Sequence, residues 1–241
     1  FFIGDPGEKT VRGYIENVEQ NNWSPGLMMK FGGLGETSTS DGAAFGSSLA
    51  YTDGLLAVGA PSSIPHITHV PNQPDNAGSV FIYRVVINVS AKSLTVNLVI
   101  GINAPISYLQ SHYVQSSGLL FGASVALSQK MLDNEIYLFA GAPGSVGSEI
   151  TKASGFKFDG GGGAIVTFSI TVPDQGLGTS KFTHWFTGFI GAADHDAGAS
   201  VTYSHETSML FYGAPHATNW PGSNKLYGSG RVYIAAFCKK N

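Results

Sequence analysis

The chain has 241 residues, a formal net charge of −3, only 12% charged residues, 32 glycines and a single cysteine. This is enough for one large domain, and the glycine content suits a turn-rich sheet protein. The weak negative charge and the lack of a basic cluster with interleaved aromatics exclude an electrostatic nucleic-acid binder. No apolar run reaches the length of a membrane-spanning helix.

The chain opens on two short strand-like runs, PheIleGlyAspPro (Phe2–Pro6) and ValArgGlyTyrIleGluAsnVal (Val11–Val18). A longer unit then begins. It reads AlaPheGlySerSerLeuAla, LeuAlaValGlyAlaPro and GlySerValPheIleTyr in order over Ala44–Tyr83. It recurs as LeuPheGlyAlaSerValAla, LeuPheAlaGlyAlaPro and GlyGlyAlaIleValThrPhe over Leu120–Phe168, and as AlaGlyAlaSerValThr, LeuPheTyrGlyAlaPro and GlyArgValTyrIle over Ala197–Ile234. The inner-motif glycine steps by 76 residues each time, from Gly46 to Gly122 to Gly198. The GlyAlaPro glycine steps by 82 and then 72, from Gly59 to Gly141 to Gly213, so length variation is confined to the loops. A fixed long period is the mark of a repeat architecture.

Each full repeat predicts four strands, rich in Val, Ile, Leu, Tyr and Phe and punctuated by Gly, Asp, Asn, Pro and Ser. In the first full copy they run about Phe45–Tyr51, Leu55–Gly59, Ser79–Val86 and Leu94–Ile100. In the next they run about Leu119–Leu127, Ile136–Gly141, Ala164–Ile170 and Phe182–Phe189. No helical period of useful length appears. Four-stranded sheets in radial repetition make a β-propeller. The expectation is therefore an all-β chain of antiparallel four-stranded blades, about four of them, with the first and last incomplete: 1–43, 44–118, 119–196 and 197–241. The opening runs fall where the second and third strands of a repeat belong, and Arg231–Phe237 is a third strand. On this reading the chain is an arc of a larger molecule, with any targeting segment outside it.

The repeated residues carry structural duties. Phe45 and Phe121 are expected to fill the wedge between neighbouring sheets, each contributing roughly 1.5–3 kcal/mol by burial. Gly46 and Gly122 let another backbone approach closely. In Gly59-Ala60-Pro61, Gly141-Ala142-Pro143 and Gly213-Ala214-Pro215, the glycine is expected to permit a bend. The alanine fits a crowded corner, and the proline ends the strand because it cannot donate to the ladder. Ala197 stands where the third copy should have its Phe, and Phe189 or Ile190 is expected to fill that space.

At these motifs the chain resembles the FG-GAP repeat family of integrin α-subunit-like propellers, over nearly its whole length. The resemblance implies an extracellular or cell-surface propeller in adhesion, protein recognition or extracellular assembly, as a module of a larger protein and without catalysis. It also allows an accessory domain of an extracellular hydrolase, as in the phospholipase D that cleaves glycosylphosphatidylinositol anchors, or a glycan-binding propeller with Trp220 or Trp185 stacking on a sugar. Many family members carry a calcium loop of the AspXxxAspXxxAspGly kind between the first two strands. Here those connections are Tyr51–Gly54, Ser128–Glu135 and Tyr203–Ser208, and none has the alternating oxygen ligands a hard cation needs. No cofactor is expected, and Asp53-Gly54 is expected to be a plain hairpin turn.

Other polar clusters admit both a chemical and a structural role. Asp194, His195 and Asp196 could bind a metal or perform acid–base work. Asp41 stands in a comparable place before the first full copy, which favours a carboxylate bonded to turn amides. His66 and His69 could share a zinc, but no third ligand is near them. Gly160–Gly163 leads into a strand, so it is no phosphate loop. Sequons occur at Asn22 and Asn88, the latter better placed at a strand end. Cys238 either pairs outside this chain or is a buried thiol. What remains is loop surface. The connections Ser62–Ala77, Gly144–Gly162 and His216–Ser229 carry His66, Phe156, Phe158, Trp220 and Tyr227, and variable loops on a rigid scaffold are where binding concentrates. The expected partner is an extracellular protein, a further blade or a glycan.

Overall fold

The computed structural model describes residues 1–17, 22–30, 44–63, 77–88, 90–91, 93–104, 119–129, 134–144, 163–174, 176–187, 196–217 and 230–236. These residues form strands and turns with no helix, in four antiparallel sheets of next-neighbour topology, none closed on itself. The first sheet holds β1 (Phe2–Asp5), β2 (Thr10–Asn17) and β3 (Asn22–Lys30). The second holds β4 (Ser48–Thr52), β5 (Leu55–Ala60), β6 (Ser79–Asn88) and β7 (Ser93–Asn103). The third holds β8 (Val125–Leu127), β9 (Glu135–Ala142), β10 (Ala164–Thr171) and β11 (Thr179–Thr187). The fourth holds β12 (Ser200–Ser204), β13 (Met209–Ala214) and β14 (Arg231–Ala236).

The repeats align strand for strand. Gly59 pairs with Val80, Gly141 with Ile165 and Gly213 with Val232, and Gly4 pairs with Val11 in the same way. The opening residues thus take the register of a second and a third strand, as their sequence implies. The strand β3 was not anticipated. A bulge opposite Gly13 and Tyr14 admits Pro25 to this edge strand.

The sheets pack face to face in chain order, with β1 against β4, β4 against β8, and β8 against β12. Three apolar clusters fill the seams. Val11, Phe45, Leu56 and Val58 belong to the first; Ala57, Val80, Ile82, Phe121 and Leu138 to the second; and Phe139, Ile165, Ala197, Leu210 and Tyr212 to the third. Strand residues alternate between faces, so every sheet between two others must be apolar on both. That is why β5 and β9 read as nearly unbroken apolar runs and are buried almost throughout.

Two expectations about the motifs need correcting. The inner strands start later than expected, at Ser48 and Val125, because the residues before them form a tight turn. Ala44, Leu120 and Asp196 adopt left-handed φ of 64°, 55° and 44°, and Gly46, Gly122 and Gly198 follow at 92°, 88° and 92°. The turn is closed by Ser47, Ala123 and Ala199 N–H donating to the carbonyls of Ala44, Leu120 and Asp196 at 3.0–3.1 Å. The GlyAlaPro glycines, by contrast, make no bend. They lie in regular strand, and their lack of a side chain serves the seam instead. A Cβ on Gly59 would lie 2.0 Å from the Gly122 carbonyl oxygen, and one on Gly141 would lie 2.0 Å from that of Gly198. The alanine and proline behave as expected: Ala60, Ala142 and Ala214 are buried, and each strand stops before its proline.

Candidate functional site

The second and third seams are held by one repeated polar contact as well as by packing. Ser48 Oγ donates to the Gly122 carbonyl at 2.8 Å, and Ser124 Oγ donates to that of Gly198 at 2.8 Å. Each glycine, held at positive φ, turns its carbonyl out of the tight turn and onto the flat surface left by Gly59 or Gly141. Arg84 adds a second clamp across the same gap as the first of these contacts, its guanidinium donating to the carbonyls of Pro173 and Asp174. Between the third and fourth sheets, Gln129 N–H donates to His205 Nδ1 at 3.1 Å.

This stack presents the long connections. Residues 64–76, 145–162 and 218–229 link β5 to β6, β9 to β10 and β13 to β14, so they leave the same end of consecutive sheets. Two of the three have identical mouths. Ser63 N–H donates to Ala60 O and Ala217 N–H to Ala214 O, both at 3.1 Å. The returning chain closes the mouth through Gly78 N–H to Ser63 O and Gly230 N–H to Ala217 O, both at 3.2 Å. A loop anchored this way can change sequence and length without disturbing the sheets below it. His66, His69, Phe156, Phe158, Trp220 and Tyr227 all belong to these connections and lie outside the described residues, as do Asp194, His195 and Cys238.

Asp196 is described, and its carboxylate meets a side chain. Its Oδ2 lies 2.5 Å from His216 Nδ1, at the mouth of the last connection, with both side chains well exposed. Ala44 with Ser62, and Leu120 with Gly144, hold the same places in the second and third sheets. The pair therefore marks the fourth sheet alone. Each residue read singly gave no hint of it, since they are 20 positions apart and meet only through the register of β12 and β13. Among the described residues no group of three His, Cys, Asp or Glu comes together. The Asp53-Gly54 connection has φ of 47° and 76°, the two positive angles of a tight two-residue hairpin.

Asn88 ends β6 exposed, and its Oδ1 accepts the Ala91 N–H at 2.9 Å. Asn22 instead begins β3, paired with Asn17. The sequence did not reveal an apolar cleft of about 410 Å³ between the first two sheets, lined by Phe2, Tyr14, Leu49, Tyr51 and Leu94, with Glu16 on its wall. The aromatic residues that build it lie on separate strands, and only the stacking of sheets brings them together.

The third seam shows how the copy without an inner Phe is filled. Phe45 packs edge-on against Tyr83, and Phe121 against Phe168, at 6.4 and 5.9 Å between centroids. In the fourth sheet the register puts Ala197 and Ala235 at those two places. The bulk moves to Tyr212, which occupies the position of Val58 and Ala140 and stacks on Tyr233 at 5.1 Å. Phe139 and Tyr203, stacked at 5.0 Å, complete the seam. Burial, and then the neighbouring Tyr233, push the Tyr212 phenol up from 10.0 to about 12. Phe189 and Ile190, expected to fill this space, lie outside the described residues. No helix among the described residues is long and apolar enough to cross a membrane. No protein-family model matches the chain, and no curated protein sequence matches it.

Proposed function

We propose that the chain is an FG-GAP-type β-propeller module that works at the cell surface or outside the cell, as a non-catalytic recognition or assembly unit. The four stacked sheets are then consecutive blades, with β4, β8 and β12 lining a common axis. One observation carries this reading: the identical mouths of the connections after Pro61 and Pro215, set on a stack two of whose seams repeat the same serine–glycine contact. Such an arrangement holds loops of differing sequence side by side over a rigid base, which suits a surface that recognises another macromolecule.

The test replaces residues 64–76, 145–162 and 218–229, singly and together, with Gly-Ser linkers of equal length. Each variant is probed for binding to immobilised matrix proteins and to a glycan array, with thermal melting as the folding control. The reading expects binding by the parent chain, loss in at least one loop variant, and melting within a few degrees of the parent. Binding that survives all three replacements together would refute it. Binding to glycans alone, abolished by Trp220→Ala, would redirect it to a sugar-binding propeller.

A further inference from the structure

The outward face of the fourth sheet repeats a surface that elsewhere in the molecule is always covered. On the second sheet this face holds Ser48, Gly59, Val80 and Ile82, and on the third Ser124, Gly141, Ile165 and Thr167. Val80, Ile82, Ile165 and Thr167 have no solvent exposure, because the next sheet lies on them. Ser200, Gly213, Val232 and Ile234 hold the same positions on the fourth sheet. There Val232 and Ile234 are 73% and 63% exposed, among the most open apolar side chains described.

The detail of the covering is also repeated. Ser48 Oγ and Ser124 Oγ stand against the bare glycines of their own sheets, 2.2 and 2.4 Å from where a Cβ of Gly59 or Gly141 would be. Both donate to the incoming glycine carbonyl. Ser200 Oγ stands 2.4 Å from the corresponding Cβ position of Gly213, yet among the described residues no neighbouring carbonyl approaches that position. The incoming glycine also rests on one branched side chain. A Cβ on Gly122 would lie 3.0 Å from Val80, and one on Gly198 would lie 3.1 Å from Ile165. Val232 is the third member of that series.

We propose that Ser200, Gly213, Val232 and Ile234 form a docking face for a further sheet of the same repeat. Its inner-motif glycine, at positive φ, sets its carbonyl on Gly213 and accepts the Ser200 hydroxyl. The occupant is defined by chemistry: a strand opening with a small or aromatic residue, then glycine, then a serine two positions on. A second copy of this chain does not meet the requirement. The Gly46 carbonyl already lies over Gly4, and those of Gly122 and Gly198 are held by Ser48 and Ser124. This deepens the propeller reading, on which it rests.

The experiment extends the full chain after Asn241 with a second copy of residues 175–241. This keeps the register, because Val232 stands where Ile165 does in the preceding sheet. Val232→Cys serves as reporter, with Cys238→Ser throughout, and maleimide labelling is timed. Labelling is expected to be fast in the 241-residue chain and to slow at least about tenfold in the extended one, since reaction then needs local opening. An extension of scrambled sequence should leave it fast. Equal rates in the extended and original chains would overturn the proposal, whether the added segment packs elsewhere or stays unfolded. So would equal protection by the scrambled segment, or slow labelling of the 241-residue chain itself. Loop-dependent binding is read separately, so failure here with binding intact removes the docking face and leaves the recognition reading standing.

Discussion

Gly141→Ala is the most direct probe of the seams. The added methyl would lie 2.0 Å from the Gly198 carbonyl oxygen and 2.4 Å from Ser124 Oγ, where real contacts are essentially never under 3.0 Å. The serine can rotate, but the carbonyl is backbone fixed in a tight turn, so the sheets must part by about 1 Å. A gap of that size forfeits roughly a quarter to a half of the dispersion contact across the opened region. Overpacking of this kind costs about 1–3 kcal/mol. Losing the Ser124–Gly198 hydrogen bond adds about 0.5–1.5 kcal/mol, for a total near 2–4 kcal/mol. The same substitution at Gly213 is an internal control, since among the described residues its methyl would meet only the exposed Ser200 side chain. There the strand preference of Ala over Gly, about 0.5–1 kcal/mol, offsets the small clash. Urea unfolding followed by near-UV circular dichroism should show a large fall in midpoint for Gly141→Ala, with melting lowered by about 4–16 °C. Gly213→Ala should stay near the parent. A Gly141→Ala chain within about 1 kcal/mol of the parent, or equal losses at both sites, would refute the seam argument.

Four further outcomes are expected. Ser63 is buried with no partner for its hydroxyl among the described residues, and Ala217 fills its place in the fourth sheet; Ser63→Ala should therefore raise the urea midpoint, by about 1 kcal/mol of stability, and a loss of that size would count against it. Ala197→Phe should destabilise by about 1–3 kcal/mol, because Tyr212 already holds the volume, and Tyr212→Ala in the same chain should recover part of it; additive losses in a double-mutant cycle would disprove the exchange of bulk. The raised Tyr212 phenol favours folding fully below the unfolded value of 10.0, and that contribution is lost as pH rises through about 12; melting temperature should fall over this range, less steeply in Tyr212→Phe, and parallel curves would exclude Tyr212 as a cause. With Asp53-Gly54 a two-residue turn, EDTA should leave the melting temperature unchanged, and a drop of several degrees would point to a bound cation.

The sheets were legible because strand chemistry is local and was repeated. The Val-, Ile- and Leu-rich runs at β5, β6, β9 and β10 sit within a few residues of their expected bounds, since each is apolar on both faces and ends at proline, glycine or asparagine. The inner strands were misjudged at their starts, because Phe45 and Phe121 look like strand residues while the turn around them depends on the positive φ of Gly46 and Gly122. The role of Gly59 and Gly141 was also hidden. A glycine before Ala-Pro suggests a bend, and only the carbonyl of a residue 57 or more positions away shows why a side chain is forbidden. Nearly all the candidate binding residues belong to connections outside the described residues. The contacts that do emerge, Asp196 with His216 and Gln129 with His205, are made by register and stacking, which composition and spacing do not encode.

The three seams share one backbone contact but not one filling. Aromatic rings on the inner turn pack the first two, whereas the third uses a tyrosine pair from β13 and β14 and leaves the turn to an alanine. If every seam were filled alike, any sheet could settle on any other while the chain is still folding, and stacks out of sequence would be traps of similar energy. Distinct fillings make a wrong neighbour either collide, ring against Tyr212, or leave a hole beside Ala197. The fourth sheet thereby carries a short address that only its rightful neighbour reads, and this step of assembly is written into the same side chains that hold the finished seam together.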